Sequence, residues 1–231
     1  MSLILVPTPV QEDHPLEPVA LRLLMEDCLK ETTLLLVEEH KVGRQRWLKW
    51  GLPREAIEKF ILYNEHTQPK LMGEIIKILK SGKKAYLMSD GGLPAFCDPG
   101  ETLVDACHKQ GIKVTATPFA NSISLAISLS GFPHASFMFS GFIPVKEPER
   151  SEWMKKELKR PETMVWMETP YRLKKMVEDL QKLNVTREIF FACDLGSADE
   201  LLIRGSLASV VPRLTQLEKR EFVLILGPQR L

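Results

Sequence analysis

The sequence predicts an α/β fold. Short apolar runs alternate with stretches of helical spacing almost to the end of the chain, and no repeat or low-complexity linker interrupts that rhythm. The length of 231 residues suffices for one large α/β domain or two small ones. Such alternation implies largely parallel sheets, because a crossover helix must carry the chain back before the next parallel strand begins.

The elements follow in order. Leu3 to Pro7 is a strand closed by proline, and Leu16 to Leu29 repeats its leucines at helical spacing. Thr33 to Val37 is a short, largely apolar strand, and Glu38-Glu39-His40 begins a helix after it. Strand Phe60 to Tyr63, helix Pro69 to Leu79 and strand Ala85 to Ser89 come next. Helix Glu101 to Gln110 and strand Ile112 to Thr117 complete the first half. The second half offers strands Ser136 to Ser140, Thr163 to Met167, Glu188 to Cys193, Leu201 to Arg204 and Phe222 to Leu226, with a helix at Tyr171 to Leu183. The last strands have shorter connections, so part of this half is expected to be antiparallel. A boundary near Thr117-Pro118 separates expected domains 1–116 and 117–231, with Phe139 to Pro144 as the alternative place.

Composition narrows the function classes. The 31 basic and 30 acidic side chains nearly cancel, which argues against a protein held to nucleic acid or membrane by bulk charge and leaves only regional contact with a polyanion. Cys28, Cys97, Cys107 and Cys193 are scattered without a C-x-x-C pair, so reduced thiols are expected and neither a disulfide framework nor a metal site is. No basic leader and no apolar run near the roughly 20 residues that span a bilayer are present, which predicts a soluble, cytoplasmic protein.

The loop Ser89-Asp90-Gly91-Gly92-Leu93-Pro94-Ala95-Phe96-Cys97-Asp98-Pro99-Gly100 leaves a strand at the end where α/β sheets bind ligands. Its second half reads as a helix start, with Asp98 as cap, Pro99 at the first helical position and Glu101 completing a capping box. Its first half is longer than a strand-to-helix turn needs, and adjacent glycines let backbone approach a ligand closely. Neither G-x-x-x-x-G-K-[ST] nor G-x-G-x-x-G occurs, and the loop has no lysine. It suits a ligand held by backbone and apolar walls.

These residues, with Leu103-Val104 and Gly111-Ile112-Lys113-Val114, resemble the central signature of the tetrapyrrole (corrin/porphyrin) methylase superfamily. Further matching stretches run in order through Val6-Pro7-Thr8-Pro9, Glu38-Glu39-His40 with Arg44, and Tyr63-Asn64-Glu65-His66. Others are Ala126 to Pro133, Phe139 to Pro144, and Met167-Glu168-Thr169-Pro170-Tyr171-Arg172. The branch most resembled is that of the small-subunit ribosomal RNA 2′-O-ribose (cytidine) methyltransferases.

The resemblance implies two α/β domains with S-adenosyl-L-methionine in the cleft between them, usually in a homodimer, and ribosomal RNA or the small ribosomal subunit as partner. It assigns to the cofactor Pro9, Gly92, Leu93, Pro94, Phe96, Ser122, Ile123, Met167 and the strand end at Cys193. Attack of a ribose hydroxyl on the sulfonium methyl benefits from a general base. The candidates near strand ends are Asp90, Glu38, Glu39, His40, Glu65 and His66, among which Asp90, Glu39 and His66 are taken as catalytic. Structural readings stand beside them: a loop tie for Asp90, a helix-start charge for Glu39, a solvated turn for His66. A small-molecule, tetrapyrrole-like methylase and a non-catalytic member with a binding or regulatory role are the alternative functions.

Other stretches read as structural or open. In Lys41 to Trp50 the tryptophans share a helix face, either stacking on RNA bases beside arginine or packing in the core with a solvated basic face. Lys155 to Arg160 reads as an exposed helix, Cys107 as buried beside an exposed His108, and Met138 and Met164 as core.

Overall fold

The structure is a computed structural model and describes residues 1–11 and 14–229. Arg230 and Leu231, the end of the second expected domain, lie outside the described residues. The chain divides into two compact units, Met1–Phe119 and a second from Ala120 onward.

The first unit is a parallel sheet of strands β1 (Ser2–Val6), β2 (Thr33–Val37), β3 (Phe60–Leu62), β4 (Lys84–Met88) and β5 (Lys113–Ala116), in the order β3-β2-β4-β1-β5. Helices α1 (Pro18–Asp27), α2 (His40–Lys49), α3 (Gln68–Lys80) and α4 (Glu101–Lys109) make the connections. Because side chains alternate across a strand, Leu35, Val37, Tyr86 and Met88 enter one apolar cluster while Leu34, Leu36, Ala85 and Leu87 enter another. All five residues of β2 are buried, as a strand covered on both faces requires. β4 lies at the centre, so its outgoing loop sits over the middle of the sheet's carboxyl edge, beside the loop from β1.

Asp27 closes the sheet's other edge. It is buried at the end of α1 and accepts hydrogen bonds from Tyr86 Oη and Lys84 Nζ at 2.7 Å and from Lys30 Nζ at 2.6 Å. Burial pushes its carboxyl up, but the bonds from Lys30, Lys84 and Tyr86 outweigh burial and hold it well below the usual carboxylate range.

The second unit carries α5 (Ser122–Ser130), β6 (Phe137–Phe142), α6 (Glu149–Glu157), β7 (Thr163–Met167), α7 (Leu173–Lys182), β8 (Ile189–Cys193), β9 (Leu201–Gly205), α8 (Leu207–Leu214) and β10 (Phe222–Leu226). Strand order is β6-β7-β10-β8-β9, with β6 parallel to β7 and every other pair antiparallel. The antiparallel part expected from the short late connections is present. The expected helix at Tyr171 to Leu183 is split, because Pro170–Arg172 forms a 3₁₀ turn before α7.

Arg150 on α6 is 1% exposed and joins three elements. Its Nε reaches Asp179 Oδ2 on α7 at 2.6 Å, and Nη1 reaches Glu168 Oε2 after β7 at 2.6 Å and the Pro144 carbonyl at 3.0 Å. Glu168 in turn accepts from Thr169 N–H at 2.8 Å, which fixes the chain as it leaves β7.

Two stability measurements follow. Arg150→Leu leaves two buried carboxylates short of their cation and is expected to cost about 3–5 kcal/mol in urea unfolding. Arg22→Leu, which loses only an exposed pair with Glu26, is expected to cost under about 1 kcal/mol; similar costs for the two would refute the network. For Asp27 the folded carboxyl lies below its unfolded value of about 3.9, so its contribution is present at neutral pH and is lost on acidification. Asp27→Asn is therefore expected to lose about 2–3 kcal/mol at pH 7, a loss that begins to shrink below about pH 4 and disappears only once the folded carboxyl itself protonates. A pH-independent loss would mean the charge is not what matters.

Candidate functional site

The loops after β1 and β4 are bound to each other by backbone. Thr8 N–H donates to the Gly92 carbonyl at 2.9 Å, and Gly92 N–H donates back to the Thr8 carbonyl at 2.8 Å, an isolated antiparallel bridge. The buried Thr8 hydroxyl also donates to the Ser89 carbonyl at 2.9 Å, and Ser89 Oγ lies 3.2 Å from the Gly92 carbonyl oxygen. Gly92 has φ +106°, a conformation that L side chains rarely adopt, and this return of the chain presents it to Thr8. The Gly92 N–H is thus engaged by Thr8 rather than turned to a ligand.

Carboxylates gather beside this bridge. Asp90 N–H donates to Glu38 Oε2 at 3.1 Å, and the Asp90 carboxylate accepts a hydrogen bond from the Glu39 backbone, a reciprocal clasp between the ends of β2 and β4. Burial, and then the Glu38 charge, push the Asp90 carboxyl up to about 6; the Glu39 amide and Arg46 act the other way. Asp98 is likewise raised to about 6, first by burial and then by Glu38, with a hydrogen bond from Ser89 opposing. A crevice of about 10 Å³, room for about one water molecule, lies among Thr8, Val37, Trp50, Met88, Ser89 and Asp90.

Asp98 corrects the sequence reading. It does not cap α4, whose N-cap is Gly100 with no side-chain bond. Ala95 and Cys97 take left-handed φ of +64° and +62°, and the loop so turned carries Asp98 to Ser89 and to within 3.8 Å of where a Cβ on Gly92 would stand.

The expected catalytic residues separate. Asp90 is half-buried within the carboxylate group. The Glu39 side chain is exposed and accepts from Lys41 N–H at 3.2 Å as the N-cap of α2, which matches its structural reading. His66 is exposed, its Nε2 3.4 Å from Glu65 Oε1, in a turn closed by Asn64 and Thr67. Of the expected cofactor residues, Pro9, Gly92, Leu93, Pro94 and Phe96 lie in the first unit on the two joined loops, Pro94 buried and Phe96 exposed. In the second unit, Ser122 opens α5, and the buried Ile123 follows it. Met167 and Cys193 end β7 and β8, opposite Val223 and Phe222 of β10, so the sheet brings them to one edge. The Cys193 side chain is in the core and burial pushes its thiol up to about 12, so only its backbone is available to a ligand.

Trp47 bears out the core-packing reading of the basic stretch, and Arg46 corrects the solvated face expected beside it. Trp47 is buried, donates from Nε1 to the Pro53 carbonyl at 2.8 Å and meets Phe60 edge-on at 5.2 Å, so it packs in the core. Arg46, expected on a solvated face, is 7% exposed. The missed signal is its spacing: Gly43, Arg46, Trp47 and Trp50 fall at i, i+3, i+4 and i+7, one face of a helix. Cys107 is buried and His108 exposed, as read. Among the described residues no group of three or more His, Cys, Asp or Glu is arranged to hold a metal ion, and no helix is long and apolar enough to cross a membrane.

Comparison with known proteins places this geometry in a family. The family model for Tetrapyrrole (Corrin/Porphyrin) Methylases matches residues 31–211. The Ribosomal RNA small subunit methyltransferase I of Thermotoga maritima is 31% identical over 91% of this chain and 90% of its own. The Halalkalibacterium halodurans protein of the same name is 30% identical over 97% of this chain and 75% of its own. Among solved structures, uroporphyrin III C-methyl transferase from Thermus thermophilus shares the fold with a TM-score of 0.54 at 16% identity, covering 98% of this chain and 97% of that one. A cobalt precorrin-4 methyltransferase shares it with a TM-score of 0.54 at 13% identity, covering 98% and 94%. With the family model spanning most of the chain and the Thermotoga maritima relative 31% identical over about nine-tenths of both chains, the chain belongs to the tetrapyrrole (corrin/porphyrin) methylase family and is a methyltransferase.

Proposed function

We propose that this methyltransferase uses S-adenosyl-L-methionine to methylate a ribose 2′-hydroxyl of small-subunit ribosomal RNA. The observation that carries the proposal is Asp90, a carboxyl raised to about 6 at the end of the central strand, next to the glycine turn that Thr8 holds. The names of the relatives, Ribosomal RNA small subunit methyltransferase I, support the choice of acceptor. Exposed Lys41, Arg44 and Lys49 on α2 give the first unit a cationic face for phosphates.

The residues present fit the cofactor: the Thr8–Gly92 pair makes a turn lined by backbone, and Pro9, Leu93 and the exposed Phe96 add apolar surface. Those residues of the first unit would hold it there. When bound, S-adenosylmethionine supplies an electrophilic methyl on a sulfonium. Transfer is an in-line displacement, so most of the protein's work is to position the hydroxyl. Asp90 ionises near the operating pH and so can accept the hydroxyl proton as its oxygen attacks. Burial sets that property first and the Glu38 charge adds to it, while Glu38 also holds the Asp90 backbone by its hydrogen bond.

The reading is tested by mapping 2′-O-methylation of ribosomal RNA with and without the gene; an unchanged map removes the RNA acceptor, and transfer to a porphyrinoid instead supports the small-molecule alternative. Asp90→Asn is expected to lower kcat by about 10²–10⁴-fold while leaving cofactor affinity within a few fold. The ionised carboxylate is the active form, so kcat/KM should rise with pH through about 6 and level off above it. Glu38→Gln removes the charge that raises Asp90 and should move that limb to lower pH; a limb that stays in place assigns it to another group. Gly92→Asp forces a side chain onto a backbone at φ +106° and a second carboxylate towards Asp98. Calorimetry is expected to show its S-adenosylmethionine affinity reduced at least tenfold, and near-normal affinity would put the pocket elsewhere.

A further inference from the structure

We propose that Arg46 is a positioning residue that fixes the Pro9–Val10 segment against the Gly91–Gly92 turn, and so shapes the cofactor side of the site. The inference rests on the methyltransferase reading only where it concerns the cofactor. Arg46 Nη1 donates to the Pro9 carbonyl at 2.6 Å and Nη2 to the Val10 carbonyl at 3.3 Å. The same Nη2 would stand 3.6 Å from a Cβ on Gly91, with the Val10 Cα also at 3.6 Å, so guanidinium, first loop and glycine turn meet at one point. The first loop is thus held on two sides, by the Gly92 backbone at Thr8 and by Arg46 at Pro9 and Val10.

Burying a guanidinium is costly unless it is well bonded, and simple packing beside Trp47 would be served by leucine or methionine. The charge is used on loop carbonyls instead. Its reach depends on Gly43, where a Cβ would lie 3.2 Å from Val37, so the helix sits close against the end of β2. Arg46 is also the cation facing Asp90; the other charges acting there, Glu38 and Glu39 at the end of β2, raise its carboxyl, as burial does. Asp98, from the turn before α4, is itself raised by Asp90. Losing Arg46 therefore moves Asp90 further up.

The test is amide hydrogen exchange by NMR on the free protein, with calorimetry and pH profiles on the loaded one. In Arg46→Met, exchange at the Thr8 and Gly92 amides is expected at least tenfold faster than in the unsubstituted protein, with the β1 and β4 amides before them unchanged. S-adenosylmethionine affinity should fall at least tenfold, and the acid limb of kcat/KM should move to higher pH. Arg46→Lys keeps the cation but not the two-pronged donor, so the limb should stay while exchange at the two amides quickens. Exchange within twofold of normal in Arg46→Met, or in Arg46→Lys if the methionine variant does not fold, together with unchanged affinity, overturns the proposal. Faster exchange in a protein that never binds S-adenosylmethionine would instead refute the proposed cofactor and leave the loop-fixing role standing.

Discussion

The two backbone hydrogen bonds between Thr8 and Gly92 are the constraint on which the site depends. A parallel sheet delivers the loops after β1 and β4 to the same edge, but neighbouring loops have no intrinsic reason to keep a fixed distance. The reciprocal bridge supplies one, and Gly92 is the residue whose backbone permits it. Asp90 is then placed by its position in the chain, two residues before the bridge and one after Ser89, whose carbonyl the Thr8 hydroxyl grips. The Glu38–Asp90 clasp extends the same fixing to the end of β2.

Fixing loops this tightly withdraws charge from water, and the electrostatics follow. Asp90 and Asp98 are both raised because burial and Glu38 disfavour their ionised forms together. Arg46 offsets part of that repulsion while its guanidinium is spent on the carbonyls of Pro9 and Val10. The second unit shows a similar device: Arg150 binds Glu168 and Asp179 in the core, and Glu168 holds the chain as it leaves β7, one residue after Met167. In each unit a buried arginine secures a segment at a strand's carboxyl end. Burial makes such contacts stiff, since leaving either partner unpaired is far costlier than in water.

What could be read beforehand was local. The strands were legible because apolar runs such as Thr33 to Val37 and Phe222 to Leu226 declare burial without reference to anything distant, and the short connections around β9 announced antiparallel pairing. The family resemblance was legible because its stretches occur in order along the chain, and the match over residues 31–211 agrees. Asp98 was misread because Asp-Pro-Gly-Glu satisfies the local rule for a helix start, whereas the left-handed turn at Ala95 and Cys97 re-aims it. Arg46 was misread because a basic residue among lysines has the local character of a solvated face, although its helical position beside Trp47 and Trp50 said otherwise.

The sequence by itself therefore determined the α/β rhythm, the order of the ten strands found among the described residues and the glycine turn, since periodicity and turn chemistry act between near neighbours. Only the tertiary structure decided which polar groups share the site. Arg46 meets Pro9 across 37 positions of sequence, Asp90 meets Glu38 across 52, and Thr8 meets Ser89 across 81. The burial that raises Asp90 exists only once those segments have come together, because a carboxyl's proton affinity is set by the charges and solvent around it in space.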